Sequence, residues 1–248
     1  MEDAMDTHRK PEGGRAARSA CIVYCTDGSK ADQEGIGSSI AGLRDAVLDG
    51  ADVFVLCPAY LPYLRSALAE VRPGFSYREV YDMEDVLADA GIYPDGDWPA
   101  AASMSDMYRL GMPLHRDFIP YGRALCLSPD NGLSPESVSS LLSEDFCGHE
   151  VVAPPDDRWR GRVKGLCGAL DKELLGRLFG GSGEDVPDRE YASARASLFD
   201  LSSLAAEPRW YMRRLMALKE AFGRGRFAHG ALDFVSAMMD VRILEGSR

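Results

Sequence analysis

The tightest constraint in this chain is an alternation in its first third. Cys21-Ile22-Val23-Tyr24-Cys25-Thr26 has the β-branched and aromatic content of a strand, and Asp27-Gly28-Ser29 ends it with turn formers. Ile36, Ile40, Leu43 and Val47 then recur at helical spacing between Ile36 and Leu48, and Gly50 is a stop signal. Asp52-Val53-Phe54-Val55-Leu56-Cys57 is apolar without alternation, as in a strand buried on both faces. Tyr60 to Val71 is a second helix, closed by Pro73-Gly74. Strand, helix, strand, helix with short loops implies parallel pairing through a right-handed crossover. The expected fold class is α/β, with a mostly parallel central sheet sandwiched between helices.

The stretch from Ser103 to Asn131 extends this order and carries the chemistry. Met104, Met107, Tyr108 and Gly111 fall at helical spacing with Arg109 beside them. Pro113 lacks an N–H and clashes with the preceding turn, so the helix ends or kinks there. Tyr121-Gly122 turns the chain into Arg123-Ala124-Leu125-Cys126-Leu127, a buried strand. Ser128-Pro129-Asp130-Asn131 cannot continue it, because proline removes a ladder donor and Asp-Asn favours turns. Asp130 therefore stands at the carboxyl end of a buried strand, where open α/β sheets bind their ligands.

Composition narrows the partners. At 248 residues the chain can bury one sizeable core, and 46% hydrophobic with 27% charged residues is ordinary for a globular protein. A net charge of −11 and a pI near 4.9 exclude nucleic acid as the main partner, though a small anionic ligand needs only a local cluster of cations. No apolar run approaches the roughly 20 residues that span a bilayer. Residues 1–20 lack the apolar core of a secretory signal and read as a disordered leader, leaving 21–248 as a single domain. The cysteines at 21, 25, 57, 126, 147 and 167 show no metal-type spacing, and most sit in apolar runs. A reducing, cytoplasmic location follows as the expectation.

A helix ending Tyr108-Arg109-Leu110-Gly111-Met112-Pro113, followed by a strand ending Leu127-Ser128-Pro129-Asp130, resembles the centre of the family 8 glycosyltransferases. These are retaining, sugar-nucleotide-dependent enzymes of the GT-A fold. Their helix ends Tyr-Arg-Leu-x-x-Pro and their strand ends Asp-x-Asp; here Ser128 replaces the first carboxylate. The opening strand Ile22 to Asp27 is similar to the family's strand that holds uracil and ribose. The resemblance implies that Thr26, Asp27, Gly28 and Ser29 form the nucleoside grip, with Gly28 where a second Asp is usual. Physical chemistry agrees: a carboxylate accepts a base N–H, a hydroxyl bonds a ribose, and glycine admits close backbone approach. A plain strand-capping turn is the competing reading of these four residues.

Later matches are weaker. Tyr191 to Leu201 stands where the family reads Tyr-Phe-Asn-x-Gly, and its sugar-facing Asn and Gly become Ser193 and Arg195. Phe227 to Phe234 stands where the family reads Asp-Gln-Asp-Ala-Leu-Asn, and the acidic pair becomes Ala228 and Gly230 around His229. The family's late metal-binding histidine segment has no counterpart here. The implied divalent site, manganese or magnesium, thus retains Asp130 among its ligands and is weakly held, chiefly by diphosphate. Asp130 as a turn former weighs equally. Arg109 is the implied donor-facing cation, since a guanidinium bonds phosphate bidentately. Asp156, Asp157, Arg195 and His229 are the candidates to meet the sugar, whereas Lys30 reads as a surface charge and His115 as a loop histidine.

The remaining elements follow from the same rules. Val80 to Leu87 passes from strand into a short helix, Tyr93 to Pro99 is a loop, and Ser134-Pro135-Glu136 opens a helix to about Leu142. His149 to Ala153 and Val241 to Leu244 are strands, and Leu170 to Phe179 is helical. Glu207 to Phe222 is an amphipathic helix with Tyr211, Leu215, Leu218 and Phe222 on one stripe. Its basic residues and Trp210 invite peripheral membrane contact, with core packing the default. The function expected is transfer of a sugar from a nucleotide-diphosphate sugar, a uridine diphosphate hexose, to a hydroxyl of a glycan, lipid or protein acceptor with retention. The alternative is a degenerate relative that binds a sugar nucleotide, glycan or protein without transfer.

Overall fold

The computed structural model describes residues 20–92, 103–155, 172–179, 192–193, 195–223 and 239–244. Seven strands form one sheet: β1 (Ala20–Cys25), β2 (Asp52–Leu56), β3 (Arg78–Val80), β4 (Arg123–Leu127), β5 (Val151–Ala153), β6 (Ala196–Asp200) and β7 (Val241–Ile243). Their order is β3-β2-β1-β4-β6-β5-β7. Four of the six pairings are parallel, and β6 runs antiparallel to both neighbours. The parallel pairing expected from the opening alternation is present: Cys21 lies opposite Asp52 and Cys25 opposite Leu56. On its other edge β1 pairs with β4, Tyr24 opposite Leu127.

Helices cover both faces, which is why these strands are apolar without alternation. Ile22, Tyr24, Val53, Val55, Leu125 and Leu127 face α1 (Lys30–Gly42), α2 (Asp45–Gly50), α3 (Pro62–Val71) and α6 (Pro135–Ser143). Cys21, Val23, Cys25, Phe54, Leu56 and Cys126 face the opposite layer. That layer holds α4 (Met83–Asp89), α5 (Met104–Gly111), α7 (Lys172–Phe179), α8 (Leu201–Ala206) and α9 (Pro208–Gly223). Cys21, Cys25, Cys57 and Cys126 are buried free thiols, as apolar packing predicts, while Cys147 is exposed. The stripe of α9 is buried at Tyr211, Leu215 and Leu218. Trp210 stacks on Arg214 at 4.7 Å, and Arg214 pairs with Glu150 at 2.5 Å. Part of the basic character of this helix is thus neutralised inside the fold. No helix among the described residues is long and apolar enough to cross a membrane.

Three boundaries differ from expectation. The first helix begins at Lys30, since Ser29 Oγ accepts the Asp32 N–H at 3.2 Å and caps it. It breaks at Leu43 and resumes as α2. Arg72, the residue just after α3, spans the break: its guanidinium donates to the carbonyls of Ala41 (3.3 Å) and Leu43 and to Asp45 (2.6 Å). Those bonds satisfy the carbonyls freed at the helix end. The strand expected from His149 starts at Val151; the Glu150 backbone just before it bonds Asp240 (2.9 Å) and Asp200 (2.9 Å), while its carboxylate takes Arg214 and the Asp240 N–H (2.9 Å). Ser-capped α6, the α5 stop before Pro113 and the strand ending at Leu127 lie where the sequence puts them. The loop Tyr93–Pro99 lies outside the described residues.

One contact in this frame positions the β4 loop. A Cβ on Gly35 in α1 would lie 2.8 Å from the Pro129 carbonyl oxygen and 3.2 Å from its carbon. Alanine for glycine inside a helix ordinarily stabilises by up to about 1 kcal/mol. Here the obstacle is backbone, so Gly35→Ala should instead destabilise by about 1–3 kcal/mol. Thermal denaturation checks the sign, and a raised Tm would contradict this contact.

Candidate active site

The chain winds from β1 through β2 to β3 on one side, then crosses to β4 on the other side of β1. That reversal opens a crevice between the carboxyl ends of β1 and β4, the usual ligand position in open α/β sheets. The loops Thr26–Ser29 and Ser128–Asn131 flank it. α1 starts directly after the first loop, so its amino-terminal end, the end that favours anions, lies at the same edge.

The first loop is held by its own side chains. Thr26 is fully buried; its hydroxyl donates to Asp32 (2.9 Å) and accepts from the Gly28 N–H (2.9 Å). Asp27 accepts the Ser29 N–H at 2.8 Å, and both residues are exposed. Gly28 has φ +84°, a left-handed conformation that resists a side chain, and it abuts Pro58. Burial raises the Asp32 carboxyl above its ordinary range, partly opposed by the Thr26 hydrogen bond. Gln33, 3% exposed, donates to the Gly28 carbonyl at 2.8 Å. Its oxygen accepts the N–H groups of Tyr63 (3.1 Å) and Leu64 (3.2 Å) in the first turn of α3. It thereby joins the β1 loop to the loop after β2.

The second loop is fixed from both faces of the sheet. The Asn131 amide donates to the Ser128 carbonyl and to Ser39 Oγ, both at 3.0 Å, while its oxygen accepts the Leu133 N–H at 3.0 Å. From the other face Arg109, only 4% exposed, extends out of α5 until its Nη2 lies 3.4 Å from Ser128 Oγ. It points toward the Asp130 loop and not into solvent. Burial pushes the Cys126 thiol up to about 12, with the Arg109 charge opposing. Ser128 N–H donates to the Arg195 carbonyl at 2.8 Å, which brings Arg195 to the same edge. Asp130 is exposed.

Of the residues singled out from sequence, Thr26, Asp27, Gly28, Ser29, Arg109, Ser128, Asp130 and Arg195 stand along this edge. Asp156, Asp157 and His229 lie outside the described residues. Lys30 is exposed, pairs with Glu34 at 3.5 Å and lies over the Tyr63 ring at 5.4 Å. His115, 2% exposed, accepts the Asp117 N–H on Nδ1 (3.1 Å), so Nε2 carries the proton donated to Asp82 (2.9 Å). That is a structural histidine capping a 3-10 turn. Gln33 is absent from the candidates read in the sequence, and Asn131 enters there only in the turn after the strand. The Ser29-Lys30-Ala31-Asp32 capping pattern could have moved the helix start forward and exposed the place of Gln33.

No protein-family model matches the sequence, and no curated protein matches it. Solved structures do resemble the fold. The apo structure of WbbM, a bifunctional glycosyltransferase, superposes with a TM-score of 0.61 at 18% identity over 94% of this chain. The chain spans only 40% of that protein. Mouse xyloside xylosyltransferase 1 gives 0.58 at 12% identity, covering 91% of this chain and 85% of its own. The galactosyltransferase LgtC, solved with donor and acceptor sugar analogues, gives 0.53 at 15% identity over 90% of this chain and 72% of its own. The fold is GT-A-like.

The metal that the family 8 resemblance implies finds no preformed site among the described donors. No group of three His, Cys, Asp or Glu among the described residues could hold an ion. Where a first carboxylate would face the ion stands Ser128, with the Arg109 guanidinium beside it. A fixed cation there disfavours a second one.

Two outcomes follow. Gln33→Leu removes the bonds to Gly28, Tyr63 and Leu64 and should cost about 1–3 kcal/mol in urea denaturation, with Gln33→Glu losing less. The hydrogen bond from His115, opposed by burial, holds the Asp82 carboxyl below its usual range. A depressed carboxyl stabilises the fold above its unfolded pKa and loses that contribution as pH falls through the folded one. The Tm gap between parent and Asp82→Asn should therefore persist from pH 7 to about 4 and close below it.

Proposed function

We propose that this chain is a glycosyltransferase that moves a hexose from a uridine diphosphate sugar to a hydroxyl of a glycan, lipid or protein acceptor, with retention at the anomeric carbon. The observation that carries the reading is the convergence at one switch point of an exposed carboxylate loop, a helix amino terminus and a buried guanidinium. A nucleotide sugar presents these with matching groups: base N–H and ribose hydroxyls, a diphosphate, and a sugar. Likeness to solved glycosyltransferases in fold supports the assignment.

In this reading Asp27 accepts from the base, since one internal bond leaves a carboxylate ample acceptor capacity. The Thr26 proton already goes to Asp32, so Thr26 shapes the loop and the ribose falls to Asp27 and Ser29. Arg109 and the start of α1 hold the diphosphate and offset the charge of the departing nucleotide. Ser128 and Arg195 border the sugar. Asp156, Asp157 and His229 remain assigned to the reacting sugar by sequence alone. A divalent ion enters only with nucleotide, held by the diphosphate and Asp130. Peripheral membrane contact through α9 is the lesser reading of a helix whose apolar stripe is in the core.

Calorimetry with uridine diphosphate, with and without manganese, tests this. Manganese alone should bind weakly, and Asp130→Ala should abolish the manganese-linked gain in nucleotide affinity. Arg109→Ala should weaken nucleotide binding in either condition by about 1.5–3 kcal/mol, about ten- to a hundredfold. Arg109→Lys keeps the charge and should recover part of it. Unchanged binding in both the Arg109 and Asp130 variants would reject the donor site.

A further inference from the structure

We propose that Tyr60, Tyr63 and Tyr81 form a binding platform for a neutral glycan chain, the acceptor of the transfer; this rests on the glycosyltransferase reading. They are 58%, 52% and 46% exposed, which is unusual for large side chains with so much apolar surface. All three stand at the carboxyl edge of the sheet: Tyr60 just after β2, Tyr63 in the first turn of α3 and Tyr81 just after β3. They occupy the side of that edge next to the Thr26–Ser29 loop.

Two of the rings, Tyr60 and Tyr81, are mounted on a charge cluster centred on one buried carboxylate. Arg65 lies 4.8 Å from the Tyr60 ring and donates to Glu79 at 2.8 Å. The Glu79 side chain, 3% exposed, also accepts the hydroxyls of Tyr77 (2.9 Å) and Tyr81. Burial works against its ionisation, but the bonds from Arg65, Tyr81 and Tyr77 win and hold its carboxyl below the usual range. Arg65 is thereby neutralised. Lys30, beside the Tyr63 ring, is likewise matched by Glu34. The platform offers aromatic faces with little net charge, which suits uncharged sugar rings better than a phosphate-bearing surface. Tyrosine supplies wide, rigid contact at small entropic cost, with a hydroxyl for the polar edge of the ligand.

Its attachment to the candidate donor loop argues for an acceptor. Gln33 binds the Tyr63 backbone N–H and the Gly28 carbonyl with one amide, and Gly28 abuts Pro58. The first turn of α3, which carries Tyr63, is thereby tied to the donor loop, so a chain lying across the rings is held beside the crevice.

The test uses an array of immobilised neutral and acidic oligosaccharides of about two to eight sugars, read for the full chain and for Tyr60→Ala/Tyr63→Ala/Tyr81→Ala. The parent should retain neutral glycans, and the triple variant should lose about tenfold or more in affinity. Its Tm should fall only modestly, since Glu79 keeps Arg65 and Tyr77 when the Tyr81 hydroxyl is lost, and its calorimetric affinity for uridine diphosphate should match the parent, because the Tyr63 N–H that Gln33 binds survives the substitution. Failure of the parent to retain any neutral glycan, or equal retention by the variant, overturns the platform. A matching fall in uridine diphosphate affinity also overturns it, since the rings would then stack on the base. Glycan binding lost only in the variant, with no uridine diphosphate binding in the parent, supports the platform and removes the donor site instead.

Discussion

Everything in this molecule depends on β1 being hydrogen-bonded on both edges. Cys21 to Tyr24 are fully buried and Cys25 nearly so, with β2 on one side and β4 on the other. A strand so placed cannot exchange partners without exposing backbone groups on two ladders. Because the chain leaves β1 in one direction and returns on the opposite side, the two helical layers part at its carboxyl end. The crevice is a consequence of winding, and any residue just after β1 or β4 is delivered to it.

Delivery alone would leave two mobile loops. Here the loop after β4 is tied from both faces of the sheet. The Tyr24 hydroxyl lies 2.8 Å from Ser39 Oγ, Ser39 meets Asn131, and Asn131 holds the Ser128 carbonyl, all on the α1 face. Arg109 reaches the same Ser128 from the α5 face. The Gly35–Pro129 approach closes the remaining gap. Groups fixed in this way lose little freedom when a ligand arrives, and a guanidinium removed from bulk water acts more strongly on a phosphate.

The same edge divides into two chemistries. Around β1 and β4 it carries carboxylates, hydroxyls and a buried cation. Around β2 and β3 it carries tyrosine rings over compensated charges. Gln33 lies between them and bonds to both, through the Gly28 carbonyl on one side and the Tyr63 and Leu64 N–H groups on the other.

Element order was legible because it rests on local periodicity: the runs Cys21–Cys25, Asp52–Leu56 and Arg123–Leu127, the stripe of α9, and the stops at Pro113 and Pro129 all need only neighbouring residues. The alternation of strand and helix also dictated parallel pairing in the first half. What sequence could not contain was contact between distant residues. The break between α1 and α2 is spanned by Arg72 from just beyond α3, the antiparallel run of β6 is fixed by its partners, and the Glu150 carboxylate before β5 finds Arg214. The site shows the same division. Asp27 and Asp130 announced themselves as carboxylates after buried strands. That Thr26 gives its proton to Asp32, that Arg109 is buried against Ser128 and that Gln33 joins two loops were decided only by tertiary structure, because a polar side chain has no partner until the fold supplies one.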